Sequence, residues 1–492
     1  MKRFAGIGIF YLAVLLSLSG QEWLGYHTSN YAGIHGVQYN PAFIAGNNYR
    51  LDISIIAGNV HLANNFLAAD TYALLSEEKL AASDFSDRYL HPDWGHEFYD
   101  AIFHANIQAP AFMWQFTDRD AIGFAPRVRA FLNVDHLDRA MARLIWEELD
   151  YPPLFNQRQN NPYFGLNQNL WAEYGLTYAR SIIESRHLRI KAGVTAKVLQ
   201  GLGATYFTAR DYGYEFHNSD SLSLYDVDVR MGYSRGFENN QFIQMESPSL
   251  GIDLGVIIEY IPGKYDKLGM IKPRKYRRTG GVWADDETPY AFRVGASLID
   301  LGALSYRRAQ DSRYVIMNAD TMDWNYFANT DGVSGLNELL RNRFADNGSG
   351  GNSFTMELPT HINLFGDFRF PHHLGLHMGA VIPFFGGRAN DNRNHFNFQV
   401  AFTGRWEKKW FGAYVPLAFD DLGLVHWGLS LRMGPLVIGS GNLFTNLMGK
   451  MQSLNVHFGL RIIFPDVNQG AGQPNCAAYG VHRPPPSKKR KK

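Results

Sequence analysis

Between Phe354 and Phe464 the side chains change character at every second residue. Leu454, Val456, Phe458, Leu460, Ile462 and Phe464 alternate with Asn455, His457, Gly459, Arg461 and Ile463. Val425, Trp427, Leu429, Leu431 and Met433 alternate with His426, Gly428, Ser430 and Arg432. Phe396, Phe398, Val400 and Phe402 alternate with Asn397, Gln399, Ala401 and Thr403, and Leu374, Leu376, Met378, Ala380 and Ile382 with Gly375, His377, Gly379 and Val381. A two-residue period puts each set on its own face of a strand. Consecutive strands of this kind form one sheet with a greasy face that must be covered. In a soluble sandwich another sheet covers it. In a transmembrane barrel lipid does, and the small or polar face lines the lumen.

The other end of the chain favours the barrel. Lys2 and Arg3 precede the apolar run Phe4 to Leu16 and the small residues Ser17 to Gly20, so residues 1–20 read as a secretory signal peptide. The run is too short for a span of ~20 residues. No later window is apolar enough for a transmembrane helix, and an exported chain without one crosses a membrane only as a closed barrel. The connections also alternate in length: long at 60–101, short at 117–120, long at 135–169, short at 181–187, long at 308–353, short at Pro371-His372-His373. Bacterial outer-membrane barrels have short periplasmic turns and long external loops. The expected fold is all-β: a transmembrane antiparallel β-barrel of about 14 strands over residues 49–464, with the stretch 200–320 ambiguous. It would sit in the outer membrane of a Gram-negative bacterium, in contact with outer-membrane lipid, with both termini in the periplasm.

Residues 21–48 have no clean period and read either as a linker or as a plug tucked into the barrel mouth. Among the strands, Tyr49, Leu51, Ile53 and Ile55 are expected on one face of the first, and Arg50, Asp52 and Ser54 on the other. Asp135 is placed to cap a helix over His136 to Leu149, covering one rim. The tail 465–492 is Pro-rich and ends in Lys488, Lys489, Arg490, Lys491 and Lys492. It reads as a disordered periplasmic arm, either simply solvated or binding an anionic surface or another envelope protein. The net charge of +1 provides no field for nucleic acid.

The chemistry of sites is sparse. With one cysteine, Cys476, neither an internal disulfide nor a Cys-based metal cluster can form. There is no nucleophile elbow, His-Glu-x-x-His, P-loop or zinc spacing. The 17 histidines are scattered, His372-His373 sits in a turn, and Asp285-Asp286-Glu287 and Asn390-Asp391-Asn392 lack the alternating ligands of a calcium loop. No enzyme, metal or cofactor is expected. Arg127, Arg129, Lys191, Lys197, Arg293, Asp367, Arg369, Arg432 and Arg461, with Asp253 and Glu259, fall on the inward set of their strands. Such charges either brace a narrow barrel or line a selective pore.

Asn40-Pro41-Ala42 resembles a motif near the mature N-terminus of long-chain fatty-acid-transporter-like (FadL-like) outer-membrane barrels. Ser29 to Gly33, Ser297 to Gly302, Leu358-Pro359-Thr360, Trp410 to Pro416 and Arg432 to Leu436 resemble, in that order, an uncharacterised family of Bacteroidota outer-membrane barrels within that group. The resemblance implies a roughly 14-stranded barrel with an N-terminal plug. It carries no established activity. The first expectation is therefore a non-enzymatic barrel serving as a membrane-embedded subunit or scaffold of a cell-envelope complex. The alternative is a passive transporter or pore for a small, hydrophobic solute.

Overall fold

In a computed structural model of the chain, the described residues are 23–71, 89–185, 187–235, 245–261, 290–309, 313–323, 346–349, 352–384 and 392–465. Fourteen antiparallel strands close a ring. They are β1 (Tyr49–Asn64), β2 (Phe98–Gln108, resuming as Ala111–Gln115), β3 (Asp120–Asp138), β4 (Gln159–Glu184), β5 (Leu188–Asn218), β6 (Pro248–Tyr260) and β7 (Phe292–Arg307). Then come β8 (Ser353–Glu357 and His361–Arg369), β9 (Leu374–Pro383), β10 (Gln399–Glu407), β11 (Phe411–Asp420), β12 (Val425–Trp427 and Leu429–Met433), β13 (Leu436–Ser440) and β14 (Ser453–Pro465). Each pairs with the next, and β14 pairs back onto β1 from Tyr49–Pro465 to Ala63–Ser453, so the sheet has no free edge.

The two-residue period explains the wall. Leu364, Phe368, Met378, Phe402, Phe419 and Ile462 are each more than a third exposed, while Asn363, Asp367, His377, Thr403, Ala418 and Arg461 between them are buried. The exposed apolar band has no protein partner and is matched to lipid. No helix among the described residues is long and apolar enough to cross a membrane.

Four details differ from the sequence reading. Tyr49 is buried and Arg50 exposed, because a bulge between Tyr49 and Leu51 shifts the register by one. Phe396 precedes β10 and turns inward rather than to lipid. The helix is α1 (Arg139–Trp146), capped by Asp138, whose carboxylate accepts from the Met141 amide. Asp135 instead points inward, 3.0 Å from His395. Strands β4 and β5 are 26 and 31 residues long, so much of the expected loop 135–169 is strand.

The ambiguous stretch resolves for the same reason. The upper part of β5 leaves the ring and pairs with Ser221–Tyr233, which pairs with Arg313–Asp323. Helix α1 packs Leu144 onto Tyr214, Leu222 and Val229 there, forming a cap with an apolar core above the membrane. One connection breaks the expected alternation of loop lengths. The link from Tyr260 to Phe292 lies on the short-turn side although it exceeds thirty residues by number; residues 262–289 lie outside the described set.

Candidate functional site

Residues 23–48 lie inside the ring. They contain two short 3-10 turns, Gly33–Gln38 and Pro41–Ile44, and no strand. Asn40 organises the second. Its side-chain oxygen accepts from the Ala42 amide at 2.9 Å, and Pro41 sits at the first helical position, where no N–H is needed. Its amide nitrogen donates to the Val256 and Ala296 carbonyls of β6 and β7 at 3.3 and 3.0 Å. Asn40 and Pro41 lie directly over Gly255 and Gly193, where any β-carbon would occupy the same space. The Asn-Pro-Ala string is thus a docking element, and two wall glycines are its footprint.

Side chains tie the plug to the wall elsewhere. Asp52 accepts from the Ile34 amide at 3.0 Å and from Arg461 at 3.2 Å, and Arg461 also donates to the Tyr31 and Ala32 carbonyls. Glu407 accepts from the Ser29 hydroxyl and the Asn30 side chain at 2.5 and 2.7 Å. Arg293 and Arg405 donate to the Thr28 carbonyl and also pair with Asp367. Gln38 donates to Gln108 and accepts from Asn106, both at 2.8 Å.

A second set of charges stays within the wall. Arg127 pairs with Glu173, Arg129 bridges Glu173 and Asp300, and Lys197 sits 2.7 Å from both Asp253 and Asp300. All six are buried, three cations against three carboxylates, spread over β3 to β7. Each charge is satisfied by a neighbour, which is what a dry, low-dielectric interior requires. Lys191 pairs with Glu259 at 2.7 Å. Arg369 lies 4.0 Å from Glu407, and Arg432 donates to the Lys409 and Phe411 carbonyls with its guanidinium 4.4 Å from the Tyr31 ring. The structure thus places all eleven charged residues named from the sequence inside the ring, each on a partner. Their partners Glu173, Asp300, Arg405 and Glu407 were not among the inward charges named, and Asp52 was placed only on a face of the first strand. Lys488 to Lys492 and Cys476 lie outside the described residues, as do Asp285 to Glu287.

The half of the lumen on the side of the long connections is different. Phe131, Trp171, Tyr206, Tyr306 and Phe354 of β3 to β8, with Phe396 from the approach to β10, form an apolar layer. Facing it are imidazoles: His104 stacks on Phe131 at 5.1 Å, with His61 and His426 beyond. Nine histidines are buried among the described residues, six of them on strands, where only their fall on the inward set hints at this in the sequence. No cluster of three His, Cys, Asp or Glu among the described residues could hold a metal ion.

Two cavities flank the plug. One of about 20 Å3, between Asn48 and Lys191, has room for a water or two. The other, about 60 Å3, lies between Leu24 and Tyr39 of the plug and the inner face of β8 to β10, with Phe396 of the aromatic layer in its wall. At one place the wall is also interrupted. Ala57 pairs with Gln108 and Ser54 with Ala111, but Ile55, Ile56, Ala109 and Pro110 between them make no β1–β2 pairs and all four are exposed. Pro110 has no N–H to donate.

A model of a family of unknown function (DUF5723) matches residues 41–441. The chain belongs to this family. No curated protein matches it. Among solved structures, the DUF5723 barrel is similar to the toluene transporter TbuX of Ralstonia pickettii, at 10% identity and a TM-score of 0.37 over 91% of this chain and 99% of that one. A Pseudomonas aeruginosa FadL homologue gives 11% and 0.39, covering 91% and 98%, and the Pseudomonas putida toluene transporter TodX gives 10% and 0.31, covering 91% and 99%. At these values no residue of those proteins is matched to one here.

Proposed function

We propose that this chain is a passive channel of the outer membrane for small uncharged solutes, entered from the side of the aromatic layer and gated by the plug. The observation that carries this reading is the 60 Å3 cavity between plug and wall, continuous with the aromatic layer at Phe396. A segment serving only as filler has no reason to leave space beside it. The plug forms no strand with the wall and is held by side chains, so it can shift without unzipping the barrel. The paired charges leave no free field to draw an ion through. The interrupted β1–β2 ladder, beside Gln108 and the plug's Gln38, is a candidate side exit.

The scaffold role expected first rested on the tail, and no feature of the described residues favours it. Binding of an anionic periplasmic surface by Lys488 to Lys492 is a separate proposal, with the termini periplasmic. Deleting 481–492 and measuring pull-down by peptidoglycan sacculi tests it: retained binding rejects the tail.

Swelling of proteoliposomes tests the channel. The full chain should admit small neutral solutes and exclude ions of the same size. The pair Asp52→Asn with Arg461→Met, which removes both partners of one plug anchor, should raise the rate several-fold. No passage in either protein rejects the channel.

A further inference from the structure

The two sets of buried charge differ in their count. In the set that spans β3 to β7, three cations meet three carboxylates. On the side of the short turns, five cations with side chains at least nine-tenths buried, Arg189, Lys191, Arg293, Arg369 and Arg405, share three carboxylates, Glu259, Asp367 and Glu407. Arg189 and Lys191 both lie on Glu259, at 3.1 and 2.7 Å, and Arg293 and Arg405 both lie on Asp367. Arg369 and Arg405 stand 4.0 and 3.7 Å from Glu407. Glu184, 3.9 Å from Arg189, also answers the exposed Arg119 at 3.4 Å and so leaves the difference unchanged. Among the described residues the cluster therefore carries an excess of two positive charges. A buried cation without a full counter-charge is costly.

The excess borders a space. Arg189, Lys191 and Arg293 line the cavity of about 20 Å3, and Glu259 is the one carboxylate among its described lining residues. The plug passes over it at Gly46. A β-carbon there would lie 3.5 Å from Arg189 Nη1 and 3.6 Å from Lys191 Nζ, so both cationic heads reach the room that the missing side chain leaves. The Lys191 ammonium has three hydrogens to donate, and Glu259 is its one partner among the described residues. The rest of the lining is neutral.

We infer that this cavity is a binding site for one small inorganic anion of chloride size. The volume suits an ion that takes the place of a water or two, and a solute with an organic body has no room. One bound anion halves the excess charge. It also joins the wall cations to residues 46–48, where the plug runs into β1. The ion is a resident of the wall rather than cargo, so this inference stands or falls independently of the channel.

The purified full chain in detergent, exchanged into sodium gluconate and titrated with sodium chloride at constant ionic strength, tests the site. The line width of the chloride NMR signal reads binding directly. The wild type should show saturable excess broadening that bromide displaces, and should melt about 2 °C higher in chloride than in gluconate. Two variants, each checked for the fast gel mobility of unboiled protein, move the affinity in opposite directions. Lys191→Met removes one cation while Arg189 keeps Glu259 paired, so chloride should bind about tenfold more weakly. Glu259→Gln removes the carboxylate that competes with the anion, so chloride should bind several-fold more tightly. Damage to the fold would weaken binding in both, and the opposite signs separate the two causes. Broadening that does not saturate, equal broadening in all three proteins, or loss in both variants overturns the inference. So does saturable binding of phosphate with none of chloride, because that site would be larger than this cavity.

Discussion

The two halves of the lumen are built on opposite rules. On the side of the short turns, the buried charges have named partners. Asp52 with Arg461, Glu407 with Asn30 and Asp367 with Arg405 lock wall and plug together. On the other side an aromatic layer faces histidines, and a cavity of about 60 Å3 lies between plug and wall. Both halves come from the same strands with the same period. The difference lies in what the inward side chains meet: a plug with complementary carbonyls and amides in one case, empty space in the other. A satisfied interior is rigid, while an unsatisfied one is poised to take something up.

The largest expected effect breaks the paired half. Lys197→Met leaves Asp253 without its cation beside Asp300, which keeps Arg129, and should cost about 3–5 kcal/mol. In urea titrations of vesicle-inserted protein the midpoint should drop sharply, and unboiled protein should lose its fast gel mobility. A near-wild-type midpoint would mean that the charge set is ornamental. Next comes the lipid face. Leu364→Arg, in the middle of β8 and exposed, should cost about 2–4 kcal/mol if it meets hydrocarbon. In a soluble sheet an exposed arginine would be tolerated, so the same titration separates the two environments.

A smaller effect is expected in the cap above the membrane. Asp138 accepts from the Met141 amide and from the Tyr212 and Tyr214 hydroxyls, so Asp138→Ala should cost about 1–2 kcal/mol. Because it sits at the far end of β3 beside the cap and touches neither the plug nor the cavity, solute passage should persist; lost passage would place the cap in the route. The smallest effect belongs to the cavity. Thr403→Val removes a hydroxyl without a partner and should change stability by under about 0.5 kcal/mol. A large loss would show that the hydroxyl is bonded after all.

Much of this could be read from the residues, and the physics says why. Lipid on one side and a polar interior on the other enforce the period of two, so the alternation between Leu374 and Phe464 identifies both faces of four strands at sight. Where that contrast ends, the signal ends with it. Tyr212, Tyr214 and Phe216 do alternate with Gly213, Glu215 and His217, but they pack in the cap rather than in the ring, and that pairing could not be read from the chain, so the stretch stayed ambiguous. Single-residue bulges are equally silent: Tyr49 and Phe396 each turned the opposite way from a strict period. The inward charges could be named from their parity. Their partners could not, because Glu173 meets Arg127 only through the pairing of β3 with β4, and Asp300 meets Arg129 only across the lumen. The cavity had no signal, since Asn363, His377 and Thr403 in its lining look like any inward Asn, His or Thr.

The contrast between the halves can be measured directly by thiol labelling of intact cells, in a Cys476→Ser background. Ala401→Cys lies in the cavity; Thr177→Cys lies in the packed half, where Thr177 meets Thr195 at 2.8 Å. A small neutral maleimide added from outside should modify the first and leave the second untouched until the protein is unfolded. If both react alike, or Thr177→Cys reacts first, the half on the side of the long connections is not the receptive one, and the entry route proposed for this barrel is wrong.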